Sequence, residues 1–210
     1  KKIKFILSGN NVETEEVLPK SWIYPQKFDS RNLKAIHKAY GKVKLKDFPT
    51  MGKWRQFFNN KFFKLKQFRI LNYIEYNKKE ALEVIKKELD WQDYGGKHFE
   101  SIFTRFYQGY ILPKKFNVDK RRAHLSNLVL SGQMTRDEAL SEMEKVHYSE
   151  ELIAEDKAFF LKKLGLSEEE FEKIMNEPER KHHDFPYEIS IYKQYPVLSI
   201  FKPVGRLISR

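Results

Sequence analysis

The chain has 210 residues, no cysteine and a net charge of +11. That length suits one domain, or one and a part, with volume for a core that needs no covalent staples. The missing cysteines exclude disulfides and any thiolate zinc site within these residues, and no apolar run approaches the ~20 residues of a membrane span.

The charge is concentrated. Residues 31–69 hold twelve Lys and Arg against one acid, Asp47, while the rest hold 28 basic and 28 acidic side chains. Such a patch attracts phosphate, nucleic acid or an anionic membrane surface; a solvated helix face explains it equally well.

In chain order, Ile3 to Leu7 reads as a short, largely buried strand, and Ser8-Gly9-Asn10-Asn11 as the turn at its carboxyl end, with Glu13, Thr14 and Glu15 just beyond. Open α/β sheets bind ligands outside the carboxyl ends of their strands. Lys1-Lys2 opens into that strand with neither an initiator Met nor a signal peptide, which suggests a piece of a longer protein. Asp29 or Ser30 caps a helix with apolar Leu33, Ile36 and Tyr40, and Gly41 closes it in the left-handed conformation. Residues 51–66 set Trp54, Phe57, Phe58, Phe62 and Leu65 at helical spacing, with Lys53, Arg55, Lys61, Lys64 and Lys66 between them. Such a helix can lie on a membrane or on nucleic acid, but its aromatics read first as core and its lysines as the solvated face.

Phe68 to Tyr76 reads as extended, Lys78 to Leu89 as a helix and Trp91 to Lys97 as a loop. The apolar series 99, 102, 103, 106, 107 and 110 makes a helical stripe that Pro113 ends. Asp119 opens a helix to about Leu130, stopped by Ser131-Gly132. Thr135-x-x-Glu138 and Ser167-x-x-Glu170 are capping boxes, and Ser149 opens a helix from Glu150 to Leu164 with Gly165 beyond it. The acids of residues 135–177 gather in first turns, where the helix dipole favours them, and read as structural. His182-His183-Asp184 looks like a metal cluster, but adjacent loop residues seldom face one ion, so a solvated loop is the reading. Tyr195 to Arg210 is an apolar-basic tail, either docking or disordered.

The candidate chemistry lies between Gly95 and Ser131. The Gly95-Gly96 turn lets backbone approach a ligand, and Lys97 and His98 follow in what reads as a helix's first turn. Cations there oppose the dipole, which implies an anion; a plain helix–helix turn is the even alternative. His98, Arg105 and Gln108 share one helical stripe, and Lys120, His124, Asn127 and Ser131 another, flanked by Arg121 and Arg122. Three bases in one first turn again call for an anion, unless Glu100 or Asp119 neutralises them. No Walker loop, dinucleotide fingerprint, nucleophile elbow or HExxH is present, and no known nucleic-acid-binding motif.

Gly95-Gly96-Lys97-His98-x-Glu100-Ser101, Leu112-Pro113, Asp119-Lys120-Arg121-Arg122-Ala123-His124-Leu125-Ser126 and Ser131-Gly132-Gln133-Met134-Thr135-Arg136-Asp137-Glu138-Ala139-Leu140 together resemble the C-terminal part of the N-acetyl sugar amidotransferase family of surface-polysaccharide biosynthesis. Weaker echoes lie at Leu7 to Glu15, Leu18 to Trp22 and Asn72 to Ala81.

The resemblance implies a mainly α chain with a small β contribution: the C-terminal part of an α/β PP-loop (ATP pyrophosphatase) domain over residues 1–76, a helical domain over 77–187 and a tail over 188–210. It implies ATP with Mg as cofactor and a nucleotide-linked sugar as substrate. The sugar's N-acetyl group would become acetamidino, with ammonia from a glutaminase through a cyclase-like channel subunit, in a bacterial or archaeal cytoplasm. Nucleic acid is not an expected partner. Ser8, Gly9, Asn10, Asn11, Glu13 and Glu15 would lie near nucleotide or metal. Gly95, Gly96, His98, Arg105, Lys120, Arg122 and Gln133 would bind phosphate or substrate, and Lys97, Arg121 and His124 would act in catalysis; no metal ligand is assigned. The bases are expected to be unpaired within the molecule. The family's Ser-Gly-Gly-x-Asp-Ser pyrophosphate loop and N-terminal cysteines are not in this sequence and are expected before residue 1, so the chain alone is expected neither to hydrolyse ATP nor to form product. The rivals are a non-catalytic basic module for nucleic acid or an anionic membrane, and a scaffold for the glutaminase.

Overall fold

Local signals decide most of the elements. The computed structural model describes residues 3–22, 28–59, 62, 66–92 and 99–201. The order is β1 (Phe5–Ser8), α1 (Val12–Glu15), α2 (Ser30–Tyr40), α3 (Lys53–Phe58), β2 (Lys66–Arg69), α4 (Lys78–Leu89), α5 (Ile102–Phe106), a π-helical turn (Tyr107–Ile111), α6 (Leu112–Phe116), α7 (Lys120–Leu130), α8 (Arg136–Glu144), α9 (Glu150–Leu164), α10 (Glu168–Asn176) and α11 (Ile191–Gln194), with short 3-10 turns between. The described residues are thus mainly helical, with one open, two-stranded sheet. They divide into two units. One comprises residues 1–8, 23–69 and 180–210, and the other residues 9–22 and 70–179.

In the first unit β1 and β2 pair in parallel, Phe5 opposite Lys66 and Leu7 opposite Phe68. The expected burial of β1 does not occur: Phe5 is 57% and Leu7 70% exposed. The Phe5 ring lies 5.6 Å from that of Phe68 on β2. The extended conformation expected to Tyr76 stops at Arg69, where a 3-10 turn (Ile70–Tyr73) takes over.

Asp29 is the N-cap of α2, its carboxylate accepting from the Asn32 amide at 2.8 Å. Gly41 is not left-handed: its φ is −73° and the chain leaves extended. Glycine is required there for space, because a Cβ would run into the His37 ring. The other Asp29 oxygen accepts from the Glu188 amide (2.9 Å) and meets His182 Nε2 (3.1 Å), and the Asn32 amide donates to the His182 carbonyl. His182 therefore serves to tie the 182–188 segment to the start of α2. Trp54 and Phe57 of α3 pack on Tyr195 (5.5 Å) and Tyr192 (6.4 Å). Lys61, Lys64, Leu65 and residues 202–210 of the expected tail lie outside the described residues.

The second unit holds the core. Phe106, Ile111, Phe160, Leu161 and Phe171 are buried together, from the α5–π segment, α9 and α10. Both capping boxes form, at Thr135–Glu138 and Ser167–Glu170. Asn77 caps α4, and Ser149 and a left-handed Gly165 bracket α9.

Pro113 does not end its helix. The helical path runs from Ile102 to Phe116, and Leu112 N donates to Tyr107 O in π register immediately before the proline. In an α-helix the proline ring would strike the carbonyl four residues back; the widened turn removes that conflict. Gly109 in this turn admits the Tyr148 ring, which a Cβ would meet at 2.6 Å.

Candidate functional site

Segment 9–22 is tied to α7 by one side chain that pairs with both backbone groups of Val17 and also donates to the Ala123 carbonyl at 2.7 Å. Asn127, buried within α7, accepts from the Val17 amide (2.8 Å) and donates to the Val17 carbonyl (3.3 Å). The result is a cleft of about 200 Å³ lined by Glu15, Val17, Leu18, Lys120, Ala123, His124 and Asn127. It brings together three residues singled out from sequence: Glu15 from one segment, and Lys120 and His124 from the other.

The approach of Glu15 is organised locally. Asn11, itself buried, caps α1 by accepting from the Thr14 amide (2.9 Å), and Asn10 donates to the Glu15 carboxylate at 2.5 Å. Asn72 accepts from the Val12 amide at 3.0 Å. Burial, with the Glu15 charge added, raises the Tyr76 hydroxyl above its ordinary value. Lys120 and His124 are one turn apart on α7 and partly buried. One carboxylate, one ammonium and one imidazole beside the Asn127 amide suit a small anionic or polyhydroxyl group. The volume matches a phosphate or one sugar ring rather than a whole nucleotide.

The other expected residues fall elsewhere. Ser8 ends β1. Gly9, Asn10 and Asn11 precede α1 and Glu13 lies within it, none of them lining the cleft. Arg122 is exposed. Among the described residues neither Lys120 nor Arg122 forms an ion pair with a carboxylate, although the Arg122 charge acts on Asp119. Gly95, Gly96, Lys97 and His98 lie outside those residues, and the helix after them starts at Ile102 with Ser101 as its cap.

Arg121 and Arg105 are not unpaired. Arg121 Nη2 meets the Asp119 carboxylate at 2.7 Å, and Nη1 donates to the Lys145 carbonyl at 3.1 Å. Burial acts to raise the Asp119 carboxyl, but the Arg121 hydrogen bonds and the Arg121 and Arg122 charges hold it below its ordinary value. A helix-capping aspartate two residues away is within reach of the guanidinium, so α7 neutralises its own first turn. Gln133 also spends its amide on backbone, accepting from Lys78 N (2.9 Å) and donating to Tyr76 O (3.0 Å).

Arg105 is half of a buried node. Its Nε and Nη2 reach the two Asp156 oxygens at 2.6 and 2.8 Å, and the Tyr148 hydroxyl donates to Asp156 at 2.6 Å. Burial works to raise Asp156, but hydrogen bonds from Arg105 and Tyr148 and the Arg105 charge bring it below its ordinary value. Burial, and then the bond to Asp156, push the Tyr148 hydroxyl up. Such a node orders helices and leaves no free group for chemistry.

Sequence reading missed Asp156, Tyr148 and the role of Asn127 in holding Val17. Asp156 had a usable signal: it shares a helical face with Ile153 and Phe160, and an acid inside an apolar stripe needs a buried cation. His182-His183-Asp184 forms a 3-10 turn, and among the described residues no group of three His, Cys, Asp or Glu could hold a metal ion. No described helix is long and apolar enough to cross a membrane.

Residues 100–198 match the model of a family described as the C-terminal domain of WbpG-like LPS biosynthesis proteins. Neither the curated proteins nor the solved structures yielded a match. The matched stretch contains α5 to α11, and with them the Lys120, His124 and Asn127 wall of the cleft. The C-terminal region of the chain thus matches the WbpG-like C-terminal domain of lipopolysaccharide-biosynthesis proteins, in agreement with the resemblance read from its sequence.

Proposed function

We propose that the chain is the C-terminal portion of an ATP-dependent amidotransferase that converts the N-acetyl group of a nucleotide-linked sugar to an acetamidino group for surface polysaccharide. The family match over residues 100–198 carries this reading. The cleft supports it by offering a cation and an imidazole opposite Glu15 at a volume that suits a phosphate or a sugar. In this proposal Lys120 and His124 neutralise the diphosphate of the sugar nucleotide, and Gly95, Gly96, Lys97, His98 and Arg122 extend the anion site. Arg121 holds the start of α7 in place, and Gln133 holds the Tyr76–Lys78 turn beside the cleft.

The residues of the cleft do not fit magnesium-bound ATP. It presents one carboxylate, and about 200 Å³ is too little for a nucleotide. ATP and Mg therefore belong, in this reading, with a pyrophosphate loop that the sequence does not contain. Glutaminase and cyclase-like partners, a cytoplasmic setting, and the place of residues 1–76 in a PP-loop domain are parts of the same proposal.

Titration calorimetry of the chain with a uridine-diphosphate N-acetyl sugar is the test. Lys120→Ala should weaken binding about tenfold, the effect of one charge-assisted hydrogen bond. Affinity equal to the unaltered chain removes Lys120 from the site.

A further inference from the structure

The first unit carries a second surface that the amidotransferase reading leaves unused. Along α2 and the segment after it, Leu33, Ile36, His37, Tyr40, Leu45 and Phe48 line an open groove of about 320 Å³. Its walls face solvent: Ile36 is 40%, Tyr40 61% and Phe48 56% exposed, and Val43 in the segment after α2 is 79% exposed. Lys34 and Lys38 on α2, and Lys42, Lys44 and Lys46 interleaved with Val43 and Leu45, are all exposed, and no carboxylate pairs with them among the described residues. Asp47 is the one acid between residues 31 and 69.

A contiguous apolar groove beside unneutralised lysines marks an interaction surface. Its chemistry narrows the partner. Nucleic acid is held by aromatic platforms and by polar groups that read or clamp it. Here aliphatic Leu33, Ile36 and Leu45 line the groove beside His37, Tyr40 and Phe48, and no arginine, asparagine or glutamine that could read a base lines it. Acyl chains match the groove, and acidic headgroups match the lysines, whose apolar stems can lie along the interface while the ammonium groups stay wet. We propose that α2 and the segment through Phe48 dock on the surface of an anionic lipid bilayer, with Val43 and Phe48 entering the headgroup region. This inference stands apart from the amidotransferase reading.

Sedimentation of the whole chain with vesicles tests it. The chain should pellet with vesicles of equal parts phosphatidylcholine and phosphatidylglycerol and stay in solution with phosphatidylcholine alone. Exchange of Lys42, Lys44 and Lys46 for Glu should lower the partition coefficient about a hundredfold or more, since each juxtamembrane lysine contributes severalfold. Val43→Ser with Phe48→Ser should lower it about tenfold with the charge of the lysine cluster unchanged. Both variants alter exposed side chains, and circular dichroism checks that they remain folded. Equal binding to both vesicle types overturns the proposal. So does full binding by the Val43→Ser, Phe48→Ser variant, or displacement from the mixed vesicles by single-stranded RNA at equal phosphate concentration, which would reveal a generic polyanion surface.

Discussion

Removing the Asp156 carboxylate strands the Arg105 guanidinium in a site where its side chain is only 16% exposed. Asp156→Ala should therefore lower unfolding free energy by about 3–5 kcal/mol, read by urea denaturation near neutrality. The same carboxylate gives the fold an acid limb. Its folded proton affinity lies below the ordinary aspartate value of 3.8, so its contribution is complete above that pH and fades as pH falls through the lower folded value. Asp156→Asn should flatten the loss of stability on acidification; an unchanged acid limb would detach the node from it. Little of this could be read from sequence, because Arg105 and Asp156 meet only after α5 packs on α9. Asp119 with Arg121 was readable as an alternative, since two neighbours in one first turn need no tertiary contact to pair.

Elements governed by local chemistry came out as the residue pattern predicts. α4 and α9 start and stop at their expected residues, because Asn77 and Ser149 satisfy helix-end amides by themselves. Elements that answer to the space a ring occupies did not. Pro113 reads as a terminator, yet the π turn before it carries the helix through, and Gly41 reads as a left-handed stop, yet its missing Cβ makes room for His37. Gly109→Ala tests the first case. The added methyl lands on the Tyr148 ring rather than at the end of a flexible chain, so stability should drop by about 1–3 kcal/mol. Near-ultraviolet circular dichroism should change with it, because Tyr148 must shift. A variant with the parent's melting curve and spectrum would mean the turn relaxes freely.

At the scale of the whole molecule, the second unit is built on a small aromatic nucleus. The Phe106 ring lies 5.0 Å from Phe160 and 5.9 Å from Phe171. Phe171→Ala should lower unfolding free energy by about 3–5 kcal/mol; a drop under about 1 kcal/mol would place the nucleus elsewhere. The apolar stripe of residues 99–110 announced this nucleus, and the composition announced the basic first unit. The cleft was not announced, since nothing near Glu15 in the sequence points to Lys120 or His124. It exists because of Asn127, whose side chain plays the part of a neighbouring strand for a peptide with no sheet to join. That makes Asn127 a spacer gauge: Gln, one methylene longer, would widen the gap at Val17 and leave every charge untouched. In the proposed site, guest size and guest polarity are thereby governed by different side chains, and one can be retuned without disturbing the other.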